Sequence, residues 1–214
     1  MVERMMDEHK TGEPPQRKNR RTIRLRGYDY SKAGAYFITI CTQNRECFFG
    51  DIVNGEMRLN DAGEMVEKWY RELENKFPDI RCDQYIVMPN HFHGVIVNVG
   101  ADLRVCPGNA PDVYKTGEHI GSPLRAVVQW FKTMTTNEYI RGVKQYGWSR
   151  FNGRLWQRNY YEHIVRDENE LNRIREYIVN NPTQWPSDRL YPRRGRPACL
   201  PSVFQRRYRR CFPL

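Results

Sequence analysis

The chain has 214 residues, which is enough for one sizeable hydrophobic core but a tight fit for two. Hydrophobic residues make up 39% and aromatic residues 13%, so the composition excludes a disordered chain. The formal net charge of +10 favours an anionic partner, nucleic acid before an anionic membrane. No stretch reaches ~18 consecutive apolar residues, so we predict no membrane partner.

The two ends of the chain differ in composition from the part between them. Residues 1–20 are polar and charged and predict a flexible basic arm, whereas residues 186–214 form an Arg/Pro-rich tail. We therefore place one domain at residues 21–185, with residues 99–121 as an insertion loop. No apolar segment follows the basic N-terminus, so we expect a cytoplasmic, nucleoid-associated protein whose six cysteines are free thiols.

The first half of the domain alternates strand and helix patterns. In chain order they are a buried strand at 35–43, a hairpin within 48–60, a helix from Asn60 or Asp61 to about Phe77, and a second hairpin at 84–97. The hairpins turn at Asn54-Gly55 and Pro89-Asn90, dipeptides that favour tight turns.

The sequence pattern of the second half predicts two helices with a short strand between them. The elements are a helix starting at Pro123 with Ser122 as its cap, a strand starting at Leu155-Trp156, and a helix from Glu168 to about Asn180 capped by Asp167 and ended by Pro182. This order indicates an α+β fold with a central antiparallel sheet and helices packed on it. A ferredoxin-like or RRM-like βαββαβ core is the simplest arrangement.

The sharpest chemical feature is the His91-Phe92-His93 triplet at the start of a predicted strand. Residues two apart on a strand point to the same face, so both imidazoles can reach one metal ion while Phe92 points to the core. Two hydrogen-bonded surface histidines are the alternative interpretation, since this triplet is common by chance.

A second feature lies on the last predicted helix. Tyr177 and Asn181 are four residues apart and share one helical face, which sets a phenol beside an amide oxygen that can ligate a hard cation. The same residues also have a purely structural interpretation. Tyr177 would then belong to an apolar core stripe of the helix, and Asn181 would mark the end of the helix.

A third feature mixes aromatic and polar side chains in residues 156–163. Trp156, Tyr160 and Tyr161 suit stacking on unpaired bases, and they also suit a core strand with one exposed side. His163 beside Glu162 could be a further ligand or a base, although a lone histidine is more often a hydrogen-bonded structural residue.

Two stretches taken together resemble a known family. Residues 87–94, Val-Met-Pro-Asn-His-Phe-His-Gly, and residues 176–182, Glu-Tyr-Ile-Val-Asn-Asn-Pro, are similar to the two motifs of single-tyrosine HUH (His-hydrophobic-His) transposases. Within that superfamily the chain resembles the REP-associated tyrosine transposases, over most of residues 21–190. Supporting stretches are residues 24–30, 36–42, 131–132 and 156–163.

The resemblance implies a function and a set of site residues. It implies metal-dependent nicking and rejoining of single-stranded or hairpin DNA of the REP type through a 5′-phosphotyrosine, by a monomer or a homodimer. Tyr177 matches the nucleophile, and His91, His93 and Asn181 match the metal ligands. The mixed nitrogen and oxygen donors suit Mg²⁺ or Mn²⁺. The expected DNA-binding residues are Arg24, Arg26, Arg125, Lys132, Trp156, Tyr160, Tyr161 and His163.

Three other functions are consistent with parts of the pattern. An RRM-like sheet could be a non-catalytic module that binds single-stranded nucleic acid, although the aromatic RNP1 motif of RNA-recognition domains is absent. A metal-dependent hydrolase would use water in place of tyrosine. A catalytically silent relative would keep only DNA binding.

Overall fold

The structure is a computed structural model that describes residues 33–99 and 123–192. The basic arm, residues 100–121 of the insertion loop and residues 193–214 of the tail lie outside these residues. The strands are β1 (Gly34–Cys41), β2 (Gly50–Val53), β3 (Glu56–Leu59), β4 (Ile80–Met88), β5 (His91–Asn98) and β6 (Tyr161–Val165). The helices are α1 (Asp61–Lys76), α2 (Leu124–Gln145) and α3 (Glu168–Asn180), with one-turn 3₁₀ helices at Gln43–Arg45 and Trp185–Ser187.

Four strands form one antiparallel sheet in the order β4-β5-β1-β6, and β2 and β3 form a separate hairpin. Helices α1 and α2 make the two crossovers, so the chain runs β1-α1-β4-β5-α2-β6 through this sheet. That order is the ferredoxin-like βαββαβ arrangement, which confirms the predicted α+β fold.

The main core lies between one face of the sheet and helices α1 and α2. Its sheet residues alternate with those of the opposite face, because successive side chains on a strand point to opposite sides. Phe92 is fully buried here and contacts the rings of Tyr70 and Phe131 on the two helices. Phe92 therefore points away from its two histidine neighbours, as predicted.

Helix α3 covers the other face of the sheet. A smaller core joins it there, with buried members Phe37, Val95, Leu171 and Ile178. Asp167 caps the helix by accepting a hydrogen bond from the backbone N–H of Glu170 at 2.8 Å, so the predicted start is confirmed. Because the helix buries only two residues, its attachment to the sheet rests on few apolar contacts.

A bidentate ion pair adds to that attachment. The Arg175 guanidinium donates from Nε to Asp83 Oδ1 at 2.9 Å and from Nη2 to Asp83 Oδ2 at 2.6 Å. Asp83 lies in a bulge of β4, between Cys82 and Tyr85, where the strand register shifts. The pair thus joins the middle of α3 to the edge strand.

Two sequence-based expectations differ from the structure. No strand begins at Leu155-Trp156, where a single bridge pairs Trp156 with Thr42, and β6 starts only at Tyr161. Cys47 is disulfide-bonded, whereas Cys41 and Cys82 are free, so the expectation of six free thiols is wrong. None of the helices in residues 33–99 and 123–192 is long and apolar enough to cross a membrane.

We predict that Asp83→Asn loosens α3 selectively. The change removes the carboxylate charge, and because Arg175 is partly exposed the expected loss of stability is only about 0.5–1 kcal/mol. Hydrogen exchange should accelerate in α3 with little change in α1. Glu168→Gln is the matched control, because it removes a more exposed partner of the same arginine. Equal exchange in α3 for both variants would contradict a role for Asp83.

Candidate active site

His91 and His93 lie on the central strand β5 with their side chains on the face that α3 covers, which confirms their predicted position. Both are buried, at 0% and 2% exposure. Their Nε2 atoms are 3.0 Å apart. Two Nε2 lone pairs at that distance repel each other, so a proton or a cation must lie between them.

Asn90 fixes the protonation of His91. Its amide nitrogen donates to the backbone carbonyls of Arg45 and Leu190, at 3.2 and 3.0 Å, which determines which end of the amide is the oxygen. Its Oδ1 is 2.8 Å from His91 Nδ1 and can only accept, so that nitrogen carries the proton. His91 Nε2 is therefore a free lone pair directed towards His93.

His93 has two neutral forms available. Its Nδ1 is 2.8 Å from Thr39 Oγ1, a hydroxyl that can either donate or accept. If the hydroxyl donates, His93 holds its proton at Nε2 and bridges to His91. If the hydroxyl accepts, Nε2 is a second free lone pair. Metal-binding histidines usually have the other ring nitrogen hydrogen-bonded in this way.

Both rings are kept neutral by their surroundings. Burial lowers the pKa of His93 to about 3, with the nearby Arg189 charge as a smaller cause. Burial also lowers the pKa of His91 well below its usual value, and the neighbouring His93 adds to this. A neutral imidazole is the form that binds a metal.

Tyr177 projects from α3 beside the histidine pair. Its hydroxyl is 3.4 Å from His93 Nε2, and its ring is 5.3 Å from the His93 ring between centroids. The residue as a whole is 41% exposed. Burial raises the pKa of Tyr177, and Asp188 raises it further, so the phenol is protonated at neutral pH.

Asn181 lies one turn after Tyr177 and is 2% exposed. Its side chain is next to both His91 and Tyr177. Its Oδ1 is buried and has no hydrogen-bond donor among the described residues. A buried amide oxygen without a donor is costly, and a cation would satisfy it.

Asp188 is a further donor that the sequence did not indicate. One carboxylate oxygen lies within 4.8 Å of ligand nitrogens of both His91 and His93. Asp188 follows the 3₁₀ helix Trp185–Ser187, and the Trp185 ring lies 5.8 Å from the His91 ring. Residues 186–191 therefore pack against the site, although the sequence analysis assigned them to the tail.

The predicted DNA-binding residues separate into those near the histidines and those elsewhere. Tyr160 and Tyr161 line a cleft beside the histidines. Arg125 is exposed on α2, across the sheet from them. Arg24 and Arg26 lie outside the described residues.

Three of the predicted DNA-binding side chains make internal contacts instead. Trp156 is 3% exposed and its Nε1 donates to Thr135, so no ring face is open to a base. Lys132 Nζ donates to the carbonyls of Gln157 and Arg158, at 2.6 and 3.1 Å. His163 Nε2 is 2.9 Å from Glu170 Oε1. Each of these three side chains is thus held by at least one internal hydrogen bond, and its contact with DNA stays a prediction.

Two proteins of known sequence are similar to most of this chain. No family model matches the chain. A Haemophilus influenzae Rd protein described only as uncharacterized is 41% identical over 184 residues, 81% of this chain and 93% of that protein, so the two belong to one family. A second protein from that strain, provisionally described as a REP-associated tyrosine transposase, is 26% identical over 160 residues, 73% of this chain and 74% of that protein.

The chain is thus similar in sequence to a provisionally described REP-associated tyrosine transposase. Among solved structures, a REP-associated tyrosine transposase bound to a REP hairpin is similar with a TM-score of 0.45 and 18% identity, over 75% of this chain and 73% of that one. A provisionally named transposase from Deinococcus radiodurans has a TM-score of 0.39 and 18% identity, over 73% of this chain and 95% of that one.

We predict that Asn90→Ala weakens binding of Mn²⁺ about 10–100-fold, because His91 loses the partner that orients its ring and fixes its proton. Isothermal titration with Mn²⁺ measures the change. Asn75→Ala, an exposed asparagine on α1, is the matched control. Unchanged affinity in Asn90→Ala would show that the hydrogen bond does not prepare the site.

We also predict that the metal-free protein loses stability as the pH falls below about 6.5. In the unfolded chain each histidine gains a proton near 6.5, whereas His93 in the fold stays neutral down to about 3. The unfolded state thus binds more protons, which costs about 1.4 kcal/mol per pH unit for each such histidine. Urea unfolding in a chelator at several pH values measures the slope, and His93→Gln should reduce it. A flat profile from pH 7 to 5 would contradict the buried neutral pair.

Proposed function

We propose that this protein nicks and rejoins single-stranded or hairpin DNA through a phosphotyrosine on Tyr177, beside a Mg²⁺ or Mn²⁺ ion. The observation that carries the proposal is an exposed tyrosine whose hydroxyl lies 3.4 Å from Nε2 of a buried imidazole pair. A candidate nucleophile and a set of candidate metal ligands are thus neighbours.

The donor set fits a divalent cation. His91 and His93 would supply two nitrogens, and the Asn181 amide oxygen, which has no donor, would supply a third ligand. The Asp188 carboxylate adds a negative oxygen close to the same atoms. Oxygen ligands favour Mg²⁺ or Mn²⁺ over a closed zinc site. When bound, the cation would neutralise charge on the scissile phosphate and hold it for in-line attack.

Tyr177 would act as the nucleophile. Its oxygen forms a bond to phosphorus as the bond from phosphorus to the 3′ oxygen breaks, and the phenol proton is lost while the 3′ oxygen gains one. The product is a 5′-phosphotyrosine and a free 3′-OH. Because the covalent link keeps the energy of the phosphodiester, a second 3′-OH can reverse the step without a nucleotide cofactor.

The net charge of the chain and its sequence similarity to a described protein support DNA as the substrate. The net charge of +10 favours a polyanion. A protein that is 26% identical over 160 residues is provisionally described as a REP-associated tyrosine transposase. Action on REP-type hairpin elements is the substrate class that we assign to this chain.

An RRM-like binding module is the main alternative, and the position of α3 argues against it. RNA-recognition domains stack bases on aromatic side chains of an open sheet face. Here α3 covers that face, and Phe37 in its centre is only 8% exposed. A single strand therefore has no open aromatic sheet to bind.

We predict that Tyr177→Phe abolishes the covalent DNA adduct. The change removes one oxygen and keeps the ring, which packs edge-on against Phe37. Folding, Mn²⁺ binding and hairpin binding should therefore persist. Labelled hairpin DNA with Mn²⁺, resolved on a denaturing gel, measures the adduct.

Tyr161→Phe is the matched control, because Tyr161 is equally exposed at 43% and lies on the same sheet face. It should retain the adduct, as should Tyr160→Phe. An adduct that persists in Tyr177→Phe and maps to Tyr160 or Tyr161 would overturn the assignment. DNA cleavage without any adduct would favour the water-dependent hydrolase.

A further inference from the structure

Helix α3 contacts the sheet along one narrow stripe of apolar side chains. Its two buried residues, Leu171 and Ile178, are seven apart and therefore lie almost in line along the helix, with the half-buried Ile174 between them. Contacts along a single stripe hold a helix down but oppose its rolling about its own axis only weakly. A roll of about 10° moves a side chain about 5–6 Å from the axis by about 1 Å. The direction of Tyr177 therefore depends on contacts at the flanks of the helix.

The flank of α3 away from Tyr177 carries the pair Asp83–Arg175. Successive residues of a helix are about 100° apart around its axis, so Arg175 and Tyr177 lie about 200° apart, on opposite flanks. The bidentate contact between Arg175 and Asp83 joins this flank to β4, an outer strand of the four-stranded sheet. The Arg175 guanidinium lowers the pKa of Asp83, so the carboxylate is ionised at neutral pH.

The flank that carries Tyr177 has a pair of its own, Glu170–His163. Glu170 precedes Tyr177 by seven residues, about two helical turns, so the two side chains leave α3 on the same side. His163 Nε2 is 2.9 Å from Glu170 Oε1, and the Arg166 backbone N–H donates to Glu170 Oε2 at 2.8 Å. These two contacts lower the pKa of Glu170, so its carboxylate is ionised and can only accept. His163 lies on β6, the other outer strand of the sheet.

We propose that these two flanking pairs, Asp83–Arg175 and Glu170–His163, are positioning pairs that set the roll of α3 and so direct the Tyr177 hydroxyl at the histidine pair. The inference rests on the proposed function, in which Tyr177 is the nucleophile. The pairs connect opposite flanks of one helix to opposite edges of one sheet. A roll of the helix in either direction must therefore lengthen one of them.

The flanking pairs act on the position of the tyrosine more than on stability. All four side chains are partly exposed, between 21% and 36%, and pairs of that kind contribute little to the free energy of unfolding. A displacement of about 1 Å at the reacting atoms, by contrast, can lower a rate about 100-fold. Loss of a flanking pair should therefore leave α3 folded and hairpin DNA bound, while the chemical step becomes slower.

The first measurement separates DNA binding from chemistry, with the full chain, Mn²⁺ and hairpin DNA. Asp83→Asn and Glu170→Gln should each lower the single-turnover rate of adduct formation about tenfold, and the double variant about 100-fold, with the Kd of the hairpin unchanged. Glu168→Gln is the matched control, because it removes the same charge from a partner of Arg175 that lies on α3 itself. It should keep the wild-type rate. An unchanged rate in the double variant, or a weaker Kd that accounts for the slower reaction, would overturn the proposal.

The second measurement needs neither DNA nor metal. In protein labelled with 3-fluorotyrosine, the fluorine signal of Tyr177 is the one that Tyr177→Phe removes, and its shift reports how the ring packs against its aromatic neighbours. The signal should move in Asp83→Asn and in Glu170→Gln and stay in place in Glu168→Gln. A signal that stays in place in all three variants would overturn the proposal even if the rates fall. A signal that moves as expected, in a protein whose wild type forms no adduct, would retain the positioning pairs and reject the proposed reaction.

Discussion

The site depends on one constraint: two buried imidazoles have their Nε2 atoms 3.0 Å apart, where something positive must lie between them. Asn90 fixes the proton of His91 on Nδ1, so His91 can only offer a lone pair. Thr39 lets His93 carry its proton on either Nε2 or Nδ1. The same pair can therefore form a hydrogen bond or offer two lone pairs to a cation, through rotation of the Thr39 hydroxyl and transfer of the His93 proton from Nε2 to Nδ1.

The surrounding chain serves to hold this pair in place. Asn90 joins three parts of the molecule, since it contacts His91 and the carbonyls of Arg45 and Leu190. Helix α3 brings Tyr177 over the sheet with few buried contacts and one strong ion pair. The proposed nucleophile thus lies on a helix with few buried contacts, beside the proposed pair of metal ligands, which suits a tyrosine that a DNA strand must reach.

Local sequence patterns predicted most of the fold, because turns and helix caps are determined by neighbouring residues. The Asn54-Gly55 turn and the Asp167 cap are examples, and the face shared by His91 and His93 followed from strand periodicity alone. Long-range contacts were not predictable in this way. Thr39 faces His93 only through strand pairing, and Asp188 reaches the histidines only because the chain turns back after α3. Trp156 was misjudged for the same reason, since burial depends on packing partners far along the chain.

The most direct test of the central claim is pulsed electron paramagnetic resonance of the Mn²⁺-loaded protein with ¹⁵N-labelled histidine. We expect coupling to two imidazole nitrogens in the wild type, and to no more than one in His91→Ala and in His93→Ala. His163→Gln, which alters a histidine paired with Glu170 away from the site, should leave both couplings intact. Bound Mn²⁺ without imidazole coupling in the wild type would contradict the account.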